Sequence, residues 1–133
     1  MGKWTTNAIH ISKLRIITEI IGLKPLRCWH KGDPRKNGTL YDFALWEYGR
    51  CDEYDVYVEN QMMKTIQDLV PKIDILCNIK ERYVVDFTLE IVPSIYVGDI
   101  NPCLAPNRGV IEFCYKTKTN IDIDLYVFNS TNE

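Results

Sequence analysis

Cys28 and His30 flank Trp29, and they are the first residues whose types and spacing suggest chemistry. On an extended segment, residues i and i+2 share a face, so a thiol nucleophile and an imidazole base could meet there. No orienting third group or oxyanion donor can be identified beside them. The expectation is therefore a structured turn with a solvent-facing histidine, and no catalytic residues. The five cysteines, Cys28, Cys51, Cys77, Cys103 and Cys114, include no C-x-x-C pair. A zinc knuckle or thioredoxin-type redox site has no support, and reduced thiols in a cytosolic protein are expected, several buried as small hydrophobes. His10 and His30 lack metal-ligand spacing, so no metal site is expected. Neither G-x-x-x-x-G-K-[ST] nor G-x-G-x-x-G occurs, so no glycine loop cradles a phosphate and no cofactor is expected.

The carboxylates are more suggestive. Asp86/Glu90 and Asp122/Asp124 are spaced four and two apart within strand-like runs, so each pair shares a strand face. If those strands are neighbours, the four form one acidic patch beside Tyr126. Asp52, Glu53 and Asp55 make a second acidic group. General acid–base work would need a pocket that shifts a carboxylate pKa, and an open sheet face offers none. A solvated face or a docking face for a basic partner remain as alternatives. Charge is unevenly spread: residues 1–40 carry eight Lys/Arg against two acidic residues, and the remainder carries eight against sixteen. The basic segment from Lys24 to Lys36, with Trp29, has the ingredients for stacking and phosphate contact. The net charge of −2 opposes nucleic-acid binding, and none is expected.

Hydrophobic periodicity supplies the elements that must position these residues. Asn7–Ser12 reads as a first strand. In Lys13–Gly22, Leu14, Ile17 and Ile21 fall at helical spacing, and Gly22 and Pro25 stop the helix. Leu23–Gly38 reads as a long turn, and Thr39–Tyr48 as an aromatic second strand. From Val58 to Lys80, Met62, Ile66, Leu69, Ile73 and Leu76 recur at helical steps, with Pro71 kinking or dividing the helix. Tyr83–Val92 alternates cleanly, with Val85, Phe87, Leu89 and Ile91 on one face. Pro93–Arg108 reads as a loop. Gly109–Lys118 fits either a short helix or a strand. Asn120–Phe128 reads as one strand with Ile121, Ile123, Leu125 and Val127 inward, and Asp122, Asp124 and Tyr126 outward.

These elements predict an α/β (α+β) two-layer sandwich: one mainly antiparallel sheet of about four or five strands, with helices packed on one face. At 133 residues and 46% hydrophobic content, a single domain over residues 1–133 is expected rather than disorder. No apolar run approaches a membrane span, and the first ten residues lack a signal-type apolar core, so a cytoplasmic protein without membrane contact is expected.

The run ITEIIGLKP, then RCWHKGDP with its Trp29-x-Lys31-Gly32-Asp33 core, then LWEY around Trp46, resembles a bacterial family known as domain of unknown function 4279. The close, NIDIDLY, is similar to that family's ending, and the resemblance spans about Asn7 to Phe128. It implies a small bacterial cytosolic α/β domain with no assigned reaction. Such domains lie beside polymorphic or contact-dependent toxin genes, where they look like immunity proteins. In the shared motif, Gly32 suits a backbone angle other residues resist, and Asp33 suits a turn-amide acceptor. Trp29 and Trp46 are large enough to anchor the turn on the sheet. The resulting expectation is a stoichiometric inhibitor of a cognate toxin C-terminal domain, monomeric or weakly dimeric. Its contact residues would be Asp52, Glu53, Asp55, Asp86, Glu90, Asp122, Asp124 and Tyr126. The alternative is a non-catalytic small-molecule or peptide-binding module, with Pro93–Pro106 and the Trp29/Trp46 region bordering a pocket.

Overall fold

The computed structural model describes residues 2–8, 13–51 and 57–129. The chain is a mixed α/β protein. In order, the elements are β1 (Gly2–Ala8), α1 (Lys13–Ile21), β2 (Arg27–Trp29), β3 (Ala44–Cys51), α2 (Val58–Ile66), α3 (Ile73–Arg82), β4 (Val85–Ile91), β5 (Ser94–Tyr96), α4 (Arg108–Thr117), β6 (Thr119–Ile123) and β7 (Tyr126–Phe128). Five strands form one sheet in the order β2-β3-β1-β4-β6, and β5 pairs with β7 in a separate two-stranded ribbon. The β2–β3, β3–β1 and β1–β4 pairs are antiparallel. β4 and β6 run parallel, and the crossover between them carries β5 and α4.

One buried cluster joins helices to sheet. Leu14, Ile17 and Ile21 of α1, Met62 and Ile66 of α2, Leu76 and Ile79 of α3, and Val110 and Phe113 of α4 meet Ala44 and Trp46 of β3 and Val85, Phe87, Leu89 and Ile91 of β4. The helical residues recur at three- and four-residue steps, the spacing that puts them on one stripe. Those of β4 alternate, so its other face carries Asp86, Thr88 and Glu90. Trp46 is fully buried, and its indole N–H donates to Thr18 Oγ1 at 2.9 Å, which satisfies its polar edge inside the core.

Pro71 divides the long helical run. It sits in the first turn of a 3-10 segment, Val70–Lys72, which leads directly into α3. There its missing N–H costs no helical bond. The ambiguous segment Gly109–Lys118 is helical. Asn107 caps α4 by accepting from the Val110 N–H at 3.0 Å, and Lys118 closes it in the left-handed region at φ 54°.

Four expectations are corrected. The first strand is Gly2–Ala8, not Asn7–Ser12, of which residues 9–12 lie outside the described residues. The second begins at Ala44 rather than Thr39, because Tyr41 exchanges backbone bonds with Gly32 and Asp33 and so belongs to the preceding turn. Short strands β2 and β5 occupy segments read as turn and loop. Asn120–Phe128 is two strands, and its apolar side chains are not buried: Ile121 and Ile123 take the core-side face, opposite Leu89 and Ile91, yet are 39% exposed, and Leu125 is 48% and Val127 66% exposed. The cause is position. β6 ends the sheet order, only its first residue, Thr119, is buried, and β7 lies in the separate ribbon.

At Gly49, β3 and α2 touch backbone to backbone. Its φ is +78°, and a Cβ there would lie 2.0 Å from the Thr65 carbonyl oxygen. Gly49→Ala should therefore cost about 2–4 kcal/mol, from a strained dihedral and a forced backbone shift. Gly38, at φ +86° in open space, isolates the dihedral part, and Gly38→Ala should cost about 1 kcal/mol. Urea unfolding of both variants measures the difference, and equal losses would contradict the close-contact reading.

Candidate functional site

The parallel pairing of β4 with β6 sets Glu90 directly opposite Asp122, and Leu89 and Ile91 opposite Ile121 and Ile123. Register partners share a sheet face, so Glu90 and Asp122 lie together on the face away from the buried cluster. Asp86 sits on that face too, about 13 Å along β4 at the usual strand rise. The ladder continues past β6: the Asp124 N–H donates to the Ile91 carbonyl at 2.9 Å, and the Tyr126 N–H to the Pro93 carbonyl at 3.0 Å. These bonds carry Asp124 and Tyr126 along the same edge. The Tyr126 hydroxyl donates to Asp124 Oδ2 at 3.2 Å. The negative charge of Asp124, then that hydrogen bond, a small loss of hydration and the charge of Glu90 hold the Tyr126 phenol above the ordinary tyrosine range.

Glu90, Asp122, Asp124 and Tyr126 thus form one edge, with Asp86 as an outlier. Lys80 of α3 approaches Asp86 to 4.0 Å while donating to the Val85 carbonyl at 3.0 Å, so that carboxylate is partly neutralised from within the chain. Asp52, Glu53 and Asp55 lie outside the described residues. Beside the acidic groups, Leu125, Val127 and Phe128 are exposed, and Tyr96 of β5 stacks on Phe128 with ring centroids 5.2 Å apart, while Ile121 and Ile123 lie on the opposite, helix-side face of β6. An apolar patch rimmed by charge is the usual composition of a protein-binding surface. Alternation locates the charged residues along each strand, but it gives no sign that their apolar neighbours are uncovered.

The Trp29–Asp33 turn is built separately, at the other end of the sheet order. Gly32 has φ +92°, and Asp33 Oδ2 accepts the His30 N–H at 2.8 Å. His30 Nδ1 lies 3.6 Å from the same oxygen, so the imidazole turns toward Asp33. Trp29 stacks on Tyr41 at 4.1 Å, donates its indole N–H to the Phe43 carbonyl at 3.0 Å, and carries the Arg27 guanidinium 5.0 Å from its ring. Trp46 does not anchor this turn with its ring, which packs in the helix-side core; its backbone pairs with Cys28 of β2. Arg27 pairs at 3.1 Å with Glu47, which is 1% exposed although it shares the face of Asp86 and Thr88. Cys28 is exposed, whereas burial pushes the Cys114 thiol up to about 11. Among the described residues no group of three or more His, Cys, Asp or Glu is placed to hold a metal ion. Among the same residues no helix is long and apolar enough to cross a membrane.

Because a neighbouring negative charge favours the neutral phenol, Tyr126 should ionise at higher pH than an ordinary tyrosine. Asp124→Asn should move that titration back down, as followed by ring ¹³C NMR. A titration unchanged by the substitution would contradict the described contact.

A family model described as "Domain of unknown function (DUF4279)" matches residues 11–128, and the chain belongs to that family. No curated protein and no solved structure matches it.

Proposed function

We propose that this member of the DUF4279 family is an immunity protein, which binds a basic toxin domain stoichiometrically and catalyses nothing itself. The observation that carries the reading is the edge where Glu90, Asp122 and Asp124 meet exposed Tyr126 and Phe128. Toxins that cleave nucleic acid hold phosphates with clustered Lys and Arg. An acidic edge competes for those cations, and opposite charge speeds the encounter. The aromatic and aliphatic side chains supply the desolvated contacts that lengthen the life of the complex.

One further feature supports the reading. Self-association through the same edge would bring Asp122 and Asp124 against their own copies across a two-fold axis, so a monomer is the state that fits. The partner would be a cognate toxin C-terminal domain in the bacterial cytoplasm, with no nucleic acid or membrane contact.

The test is to sequence the flanking genes and, with the C-terminal domain of any large secreted effector encoded immediately upstream, to carry out co-expression and titration. A one-to-one complex that weakens with added salt is expected. Asp122→Lys with Asp124→Lys should weaken it about 100-fold, mainly through slower association and lost charge pairing. No complex at low salt, or full affinity in the double variant, would overturn the proposal.

A further inference from the structure

The basic excess of the N-terminal third has its own destination in the fold. A groove of about 570 Å³ is lined by Lys24, Pro25 and Leu26 from the α1–β2 connection, by Tyr48, Gly49 and Arg50 from β3, and by Lys64, Gln67 and Asp68 from α2 and the turn after it. Three cations from three separate elements therefore line it, together with one carboxylate. That carboxylate is already engaged: Asp68 Oδ2 accepts the Tyr48 hydroxyl at 2.8 Å.

The groove is held open by backbone geometry rather than by side chains alone. The Gly49–Thr65 contact fixes β3 against α2 and sets Tyr48 and Arg50 on either side of the closest approach. The β1–β3 register shifts opposite this point, between Gly2 and Trp4. Irregular pairing of this kind re-aims side chains next to sites. The Leu26 N–H donates to the Glu47 carbonyl at 2.8 Å and pins the far wall, which Pro25 stiffens. Tyr48 stacks against Trp46 with centroids 6.0 Å apart, so one side of the groove is a fixed aromatic.

We infer that this groove binds a small phosphate ester of about mononucleotide size. The charges of Lys24 and Arg50 match a dianionic phosphate. The volume, about 570 Å³, falls within the roughly 300–1,000 Å³ typical of small-molecule sites and exceeds what inorganic phosphate fills. Tyr48, Pro25 and Leu26 offer apolar surface for the organic portion. The site lies on β3, with β1 and β4 between it and β6, so a ligand there leaves the acidic edge uncovered.

The test is a ¹⁵N NMR titration of the full chain with AMP and, separately, with inorganic phosphate. Saturable shifts confined to the amides of Leu26, Gly49 and Gln67 are expected, with AMP binding tighter than phosphate. Arg50→Gln should weaken AMP about tenfold, as loss of one charge-assisted bond predicts. Arg50→Lys should restore part of the affinity, and Lys36→Gln, in the separate Trp29 turn, should leave it unchanged. Thermal midpoints of the exposed-site variants check that the fold is intact. The inference is overturned if millimolar AMP moves no amide in the groove, if phosphate alone binds as tightly, or if Lys36→Gln weakens binding as much as Arg50→Gln.

Discussion

The constraint on which the molecule depends is the in-register parallel pairing of β4 with β6. β4 cannot slip: a shift of one residue would turn Val85, Phe87, Leu89 and Ile91 out of the core and Asp86, Thr88 and Glu90 into it. Once β4 is fixed, β6 inherits the register, and Glu90 must face Asp122. Like charges directly opposed across strands are destabilising, by a few tenths of a kcal/mol up to about 1 kcal/mol. On its other side Glu90 has Lys3 as its register partner in β1, so within the sheet it stands between a cation and a carboxylate. The core thereby fixes exposed Asp122 on the last strand of the sheet, where a cationic partner can reach it.

The uneven charge of the sequence becomes a division in space. The cations of the α1–β2 connection, β3 and α2 gather around Gly49, near one end of the strand order. The carboxylates of β4 and β6, with Asp124 beyond, gather at the other. β1 lies between, hydrogen-bonded on both sides. Two surfaces of opposite sign on one small sheet can serve two ligands, because opposite ends of the sheet need not compete for space. Where the charges lie within the chain they are answered locally, as Arg27 answers Glu47 and Lys80 answers Asp86.

The sequence makes legible those elements whose pattern is set by burial. α1, the α2–α3 run and β4 each bury one stripe or face, and their apolar spacing states it. β1 is different: Gly2–Ala8 (GKWTTNA) is mostly polar and becomes a strand because β3 and β4 flank it, a tertiary cause with no local period. The three-residue strands β2, β5 and β7 are too short to show one. In β6 and β7 the alternation is real, but alternation defines two faces without saying what covers either. Glu90 and Asp122 are recognisable as outward-facing residues; that they meet depends on a strand pairing across more than thirty intervening residues. The cationic groove was least accessible to such reading, since Lys24, Arg50 and Lys64 come from three distant segments and no motif unites them.

The most direct measurement is the thermal stability of free Asp122→Asn across a salt series. Because Asp122 opposes Glu90 across the β4–β6 register, removing its charge should raise the melting temperature by about 1–4 °C at low ionic strength. The gain should fade as salt screens the exposed pair. A melting temperature that falls, or one that shifts equally at every salt concentration, would show that Asp122 serves the fold itself and would contradict the account.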